Sequence, residues 1–261
     1  MATQKGSIIL EGQIGNLSFY QSAGKPQVRQ HSGVSKERIA KDPSYARTRE
    51  NNTEFGRASS AAKLIRIAVR QALGDRYELF EDPTVVNRLT PRMGAIVKAD
   101  PIHDRGERVV LPENLPLLHG FGFNAVAALK DVLYVMPHCA YCRDSGVLEV
   151  GLHALYPDCA ISAPEDAVLC SFHVVAMRFN PDYQRLPFVE QHHELLPIGS
   201  QAIPAQVFRL ELPEALSDPV IACFGISFYK RIGGYPVPIM EKSRNVFEVI
   251  GVEVAGSRWP E

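Results

Sequence analysis

From about residue 105 to residue 254 the chain is a succession of short segments rich in β-branched and aromatic residues, and this most narrows what it can fold into. RGERVV, LLHGFGFN, VLYVMP, GVLEVGLHAL, AVLCSFHVVAMRF, AQVFRLEL, PVIACFGISFYKRI and NVFEVIGVEV follow one another, separated by Pro- and Gly-bearing turns. Short β-branched and aromatic runs bounded by turn residues are strands. ISFYKRI and YPVPI flank Gly233-Gly234, a dipeptide that supplies the positive φ of a two-residue hairpin turn. There is no βαβ alternation, no internal repeat and no heptad pattern. Seven or eight strands at this spacing predict an antiparallel β-sandwich, Ig-like or jelly-roll-like, over residues 105–261.

Upstream the texture changes. Ala61, Leu64, Ile65, Ala68, Val69 and Leu73 recur at helical spacing, which predicts an amphipathic helix from Arg57 that ends at Gly74. A second helical run extends from Pro83 to Val97, with Asp82 as its N-cap and Pro91 expected to split it. Residues 57–104 therefore form a helical segment. At the start, Ile14–Tyr20, a turn at Ser22–Lys25 and a return at Gln27–Gln30 read as a hairpin. Residues 31–56 are polar, charged and without sustained period, so residues 1–56 are expected to be a hairpin followed by an extended arm. The fold class is α+β, mainly β.

Composition sets the outer bounds. With 261 residues, 46% apolar and 22% charged, the chain buries a full core and is not disordered. No stretch is apolar enough to span a membrane, and Ile8-Ile9-Leu10 is too short for a secretory core, so a cytoplasmic protein is expected, any release proceeding by a non-Sec route. The five cysteines are an odd number in the C-terminal half, which suits reduced thiols. Residues 1–80 hold 13 Lys/Arg against 7 Asp/Glu, and the remainder 15 against 22. A basic end on an acidic body suits head-to-tail contact between copies. It also has the look of a nucleic-acid arm, but Glu37, Asp42, Glu50 and Glu54 interleave the basic residues and lower the potential a phosphate backbone would meet.

The candidate chemistry is thin. His138, Cys139 and Cys142 have the ligand types and spacing of half a zinc knuckle, but no second pair repeats it. Pro137 and Asp144-Ser145-Gly146 place the motif in a loop between strands, not at a helix start as a redox motif requires. His192-His193-Glu194 puts adjacent histidines on opposite faces of an extended strand. No nucleophile elbow, P-loop or dinucleotide fingerprint is present. No cofactor is expected.

Three groups of segments carry a resemblance. They are Gly15-Asn16-Leu17-Ser18-Phe19-Tyr20 with Val34-Ser35-Lys36; Ala46–Asn51 with Glu54-Phe55-Gly56 and Leu118–Asn124; and Phe224–Tyr229 with Gly233-Gly234. In order and spacing they resemble a family of uncharacterised proteins of about this length from Bacteroidota-type bacteria. The resemblance brings no activity, cofactor or substrate, and the HCxxC segment is not part of it. The expected function is therefore non-catalytic: a structural protein that assembles with other copies of itself into a filament or tube through its N-terminal arm. Phe19, Tyr20, Tyr45 and Phe55 would be its apolar anchors, and Arg47, Arg49, Glu50 and Glu54 its inter-subunit ion pairs. The alternatives are a carbohydrate- or ligand-binding sandwich, and a small zinc- or thiol-dependent enzyme using His138, Cys139 and Cys142.

Overall fold

The computed structural model describes residues 2–5, 8–30, 34–213 and 217–254. The chain divides into two compact units, Met1–Asn52 and Thr53–Glu261. Every strand pairing is antiparallel.

The first unit holds β1 (Ala2–Thr3), β2 (Gly12–Ile14), β3 (Leu17–Ser22) and β4 (Lys25–Gln30) in a four-stranded sheet of order β1-β4-β3-β2. The expected hairpin is present as β3–β4, turning at Ala23-Gly24 with φ of 51° and 71°. The expected single strand from Ile14 to Tyr20 is instead broken at Gly15, whose φ of 58° turns the chain back to form β2. Residues 34–56 are not an extended arm: they fold as α1 (Lys36–Lys41), a 3-10 turn at Pro43–Tyr45 and the first part of α2 (Ala46–Leu73). His31, Ser32 and Gly33, the start of the expected arm, lie outside the described residues. Ser35 caps α1 through its Oγ, which accepts from the Arg38 N–H, and Asp42 caps the following turn through Ser44.

In the second unit, α2 buries Glu54, Ala58, Ala61, Ala62, Ile65, Ala68, Val69, Ala72 and Leu73, one continuous stripe. The helix ends at Gly74, φ 55°. After α3 (Tyr77–Phe80) comes α4 (Val85–Lys98), which runs unbroken through Pro91. Pro91 and Asn87, the residue whose carbonyl it leaves free, are both exposed, so the lost bond falls on the solvent side of the helix. Thr84 occupies the N-cap position, and Asp82 supports it by accepting the Thr84 N–H at 2.7 Å. Residues 105–137, expected as three strands, are mostly irregular: a 3-10 stretch at Pro112–Leu118, then α5 (Leu129–Val132). The buried Asp100 carboxylate gathers this region, accepting from the N–H groups of Ile102, His103 and Val109.

The sandwich expected from the sequence is present. One sheet has β5 (His138–Cys142), β6 (Val147–Leu152) and, beyond α6 (Pro157–Ala160), β10 (Gln206–Glu211), in the order β10-β6-β5. The other is built on β7 (Leu169–Arg178) and β11 (Val220–Ile232). β8 (Phe188–His192) and β9 (Leu196–Pro197) flank β7, while β12 (Tyr235–Pro238) and β13 (Val246–Glu253) flank β11. Phe172, Val174, Phe224 and Ile226 of the larger sheet pack with Leu148, Val150, Phe208 and Leu210 of the smaller. Val175, Met177, Ile221, Cys223 and Phe247 face the opposite way, onto α2 and α4. The unit therefore has three layers, and β7 is buried along its whole length. That burial is why LCSFHVVAMR reads as a continuous apolar run without alternation.

On the helix-facing side His173, Gly225 and Phe247 lie in one row across β7, β11 and β13. Phe80 closes over them, its ring centroid 5.5 Å from both His173 and Phe247. His173 is fully buried, with Nε2 2.7 Å from Ser227 Oγ and Nδ1 without a hydrogen-bond partner. Burial, reinforced by the positive charge of Arg76 and by His192, pushes its pKa down to about 3. The unfolded chain takes up this proton near pH 6.5, and the native state refuses it until about pH 3. Acid therefore destabilises the fold, by about 2 kcal/mol between pH 7 and pH 5 from this residue alone. Denaturant titrations at those two pH values should show that loss, and His173→Gln should flatten it. An unchanged slope would refute the assignment to His173.

Candidate self-association surface

The register of the first unit sorts its side chains by face. Ile14, Leu17, Phe19, Val28, Pro26 and Ala2 fall on one side, with Gln21 and Gln30 at its margins; Gln13, Ser18, Tyr20, Gln27, Arg29 and Lys25 fall on the other. The polar side is knit together: Tyr20 donates its hydroxyl to Gln27 at 3.0 Å, and the Arg29 guanidinium lies 5.4 Å from the Tyr20 ring centroid. Among the described residues the apolar side is exposed or half-buried. Ile14 is 60% exposed and Leu17 39%, Phe19 and Val28 are only half-buried, and no described residue of the unit is buried. The run before β2 adds Ile8, Ile9 and Leu10, all exposed. Sheets normally rest one face on a core, and a small sheet without such support is marginal in water.

The other residues expected to join subunits fall differently. Tyr45 is half-buried beneath the Arg38 guanidinium, 5.8 Å from its ring centroid. Arg47 pairs with Glu50 at 3.0 Å along α2. Arg49 donates to the carbonyls of Ile39 and Asp42, closing the C-terminal end of α1. Glu54 is buried and accepts the Gly106 N–H at 2.8 Å, with Arg108 4.0 Å away. Arg49 and Glu54 are thus used within the chain, because helix ends and a buried loop amide need these partners. Phe55, on the outer face of α2, is 64% exposed and remains available as an anchor.

His138, Cys139 and Cys142 lie on a strand, β5, not in a loop. Strand alternation turns His138 and Cys142 outward and Cys139 inward, so the three cannot close on one ion. Burial pushes the Cys139 thiol up to about 12, whereas hydrogen bonds from Ser145 lower that of the exposed Cys142. No group of three His, Cys, Asp or Glu side chains among the described residues is arranged to hold a metal. The His138 ring lies over Gly151 and stacks on His153 at 5.0 Å between centroids. A cleft of about 350 Å³ lies beside the Gly120–Asn124 segment, lined by Arg88, Asp131 and Glu248 among others. Two of its polar groups are already engaged, Arg88 with Asp82, Gly122 O and Phe123 O, and Glu248 with the Leu129 N–H.

No helix among the described residues is long and apolar enough to cross a membrane. No protein-family model and no curated protein sequence matches the chain.

Proposed function

We propose that this chain is a non-catalytic structural subunit that assembles with copies of itself into an open polymer, a filament or tube, with the Met1–Asn52 unit supplying the contact. The observation that carries this reading is the apolar face of Ile14, Leu17, Phe19, Pro26 and Val28, exposed or half-buried among the described residues. Each aliphatic or aromatic side chain moved from water into a contact contributes up to about 1.5–3 kcal/mol, so a partner on this face is strongly favoured. Charge selects another copy as that partner. Residues 1–52 hold 8 Lys/Arg against 4 Asp/Glu, and residues 53–261 hold 20 against 25. A basic unit on one copy and an acidic unit on the next attract, whereas two basic units repel. Because the two surfaces differ, the contact is head-to-tail, and repeated without a closing rotation it grows an open polymer.

Sedimentation velocity and negative-stain imaging of the purified chain test this. Species should lengthen with protein concentration and shrink as salt rises from about 50 mM to about 500 mM, where the Debye length falls severalfold. Discrete monomers at high micromolar concentration in low salt would refute the proposal.

A further inference from the structure

Sheet edges differ in how well they are guarded. Natural edges carry charges, prolines, bulges or a covering segment, because a bare edge pairs with any extended chain that reaches it. In the first unit the β4 edge carries Lys25, Pro26 and Arg29, and it is covered by β1 at two residues and by the Gln4 N–H at the Pro26 carbonyl. The β2 edge is the opposite. Among the described residues it pairs only with β3, has neither proline nor charged residue within the strand, and follows Glu11 and the exposed Ile8-Ile9-Leu10. Ile14 and Leu17 close a two-residue turn, so they are the hydrogen-bonded pair and Gln13 turns its N–H and C=O away from β3.

The same survey of the second unit leaves one comparable edge among the described residues. β12 carries Pro236 and Pro238, β9 carries Pro197, and β8 carries Glu190. β10 carries Arg209 and Glu211, and Gln191 caps its Arg209 N–H. The segment Gly120–Phe123 covers β13 through hydrogen bonds to Phe247 and Val249. β5, His138-Cys139-Ala140-Tyr141-Cys142, has no proline, no Lys, Arg, Asp or Glu, and pairs only with β6.

We infer that β2 of one copy adds as a strand to β5 of the next, joining the four-stranded sheet of the first to the three-stranded sheet of the second. This rests on the self-assembly reading above and gives it a mechanism. Backbone hydrogen bonds supply the register, and the basic unit meets the acidic one. Pairing β2 with β2 would set two basic units side by side and end at a dimer. It also gives the HCxxC segment a role that needs none of its thiols: a strand without Lys, Arg, Asp, Glu or Pro on an edge that must stay open.

Two full-length variants test the assignment. Gln13→Pro removes the outward N–H of β2 while sparing its bonds to β3. Ala140→Lys places a charge on the β5 strand. Each alone should raise the critical concentration for polymerisation at least about tenfold, the effect of losing one modest interaction from a repeated contact. Mixed one to one, they should stop at a discrete dimer, because each contributes one intact edge. Gln13→Glu, which sets a negative charge on the same strand, gives the same reading should Gln13→Pro alter the melting curve. Polymerisation of these variants at the wild-type concentration, or a mixture that stays monomeric, would overturn the edge assignment while leaving self-assembly standing. A wild-type chain that never assembles would overturn both.

Discussion

Gly225→Ala is expected to destabilise the second unit by about 3 kcal/mol, the top of the usual range for overpacking a core. A Cβ at this position would sit 2.5 Å from Phe247 Cδ2 and 2.7 Å from the Val246 carbonyl oxygen. The second of these is backbone, on a strand paired to β11, so it cannot rotate aside. Nor can Phe247 retreat, since Phe80 and Phe123 hold it at 5.5 Å on other sides. The neighbouring row member, His173, is also pinned by Phe80 and Ser227. Thermal melting should fall by roughly 10 °C, given about 2–4 °C per kcal/mol for a unit of this size. A drop under about 2 °C would mean that the row is looser than its geometry implies. Gly151→Ala is the instructive contrast. There the clash is with the His138 ring, an exposed side chain that can swing away.

The second large effect is expected at Arg88. Its guanidinium binds Asp82 Oδ2 at 2.6 Å and the carbonyls of Gly122 and Phe123 at 2.7 and 3.2 Å, and it lies 5.2 Å from the Phe121 ring centroid. One side chain therefore holds the Gly120–Asn124 segment to α4. Burial alone would raise the pKa of Asp82, but hydrogen bonds from Thr84 and Arg88 outweigh it and hold the carboxyl below its usual range. Arg88→Met would leave the buried Asp82 with only its Thr84 and Ala125 partners, and two carbonyls without a donor. The expected loss is about 2–4 kcal/mol, moderated because the arginine side chain keeps 29% of its exposure. Hydrogen exchange should show the amides of Gly120, Phe123 and Ala125 opening first. Unchanged protection there would refute this role for Arg88.

Much of the second unit was legible in the sequence. β6, β7, β10, β11 and β13 all fall within segments that β-branched and aromatic content alone marks as strands. The helical stripe from Ala61 to Leu73 is likewise visible by spacing. What escaped did so for identifiable reasons. The buried stripe of α2 begins at Glu54, a charged residue that is buried because it accepts a loop amide, so apolar spacing alone starts the helix too late. Pro91 reads as a break, yet the broken bond faces water. LLHGFGFN has strand composition, but it makes only a short bridge to β13, and Arg88, distant in sequence, takes its Gly122 and Phe123 carbonyls. In the first unit, Gly15 resembles a strand residue until its positive φ divides the run. The role of Gly225 could not be read at all, since only the neighbouring strands reveal how closely Phe247 approaches.

β7 and β11 serve two cores at once, one shared with the smaller sheet and one with the helices. Neither core can melt without stripping one side from the same pair of strands. The layers of this unit are consequently bound into one cooperative transition, although each has its own separate set of side chains. A lesion beneath the helices and a lesion inside the sandwich would then draw on a common reserve of stability, and sequence variation tolerated in one layer would narrow what the other can accept.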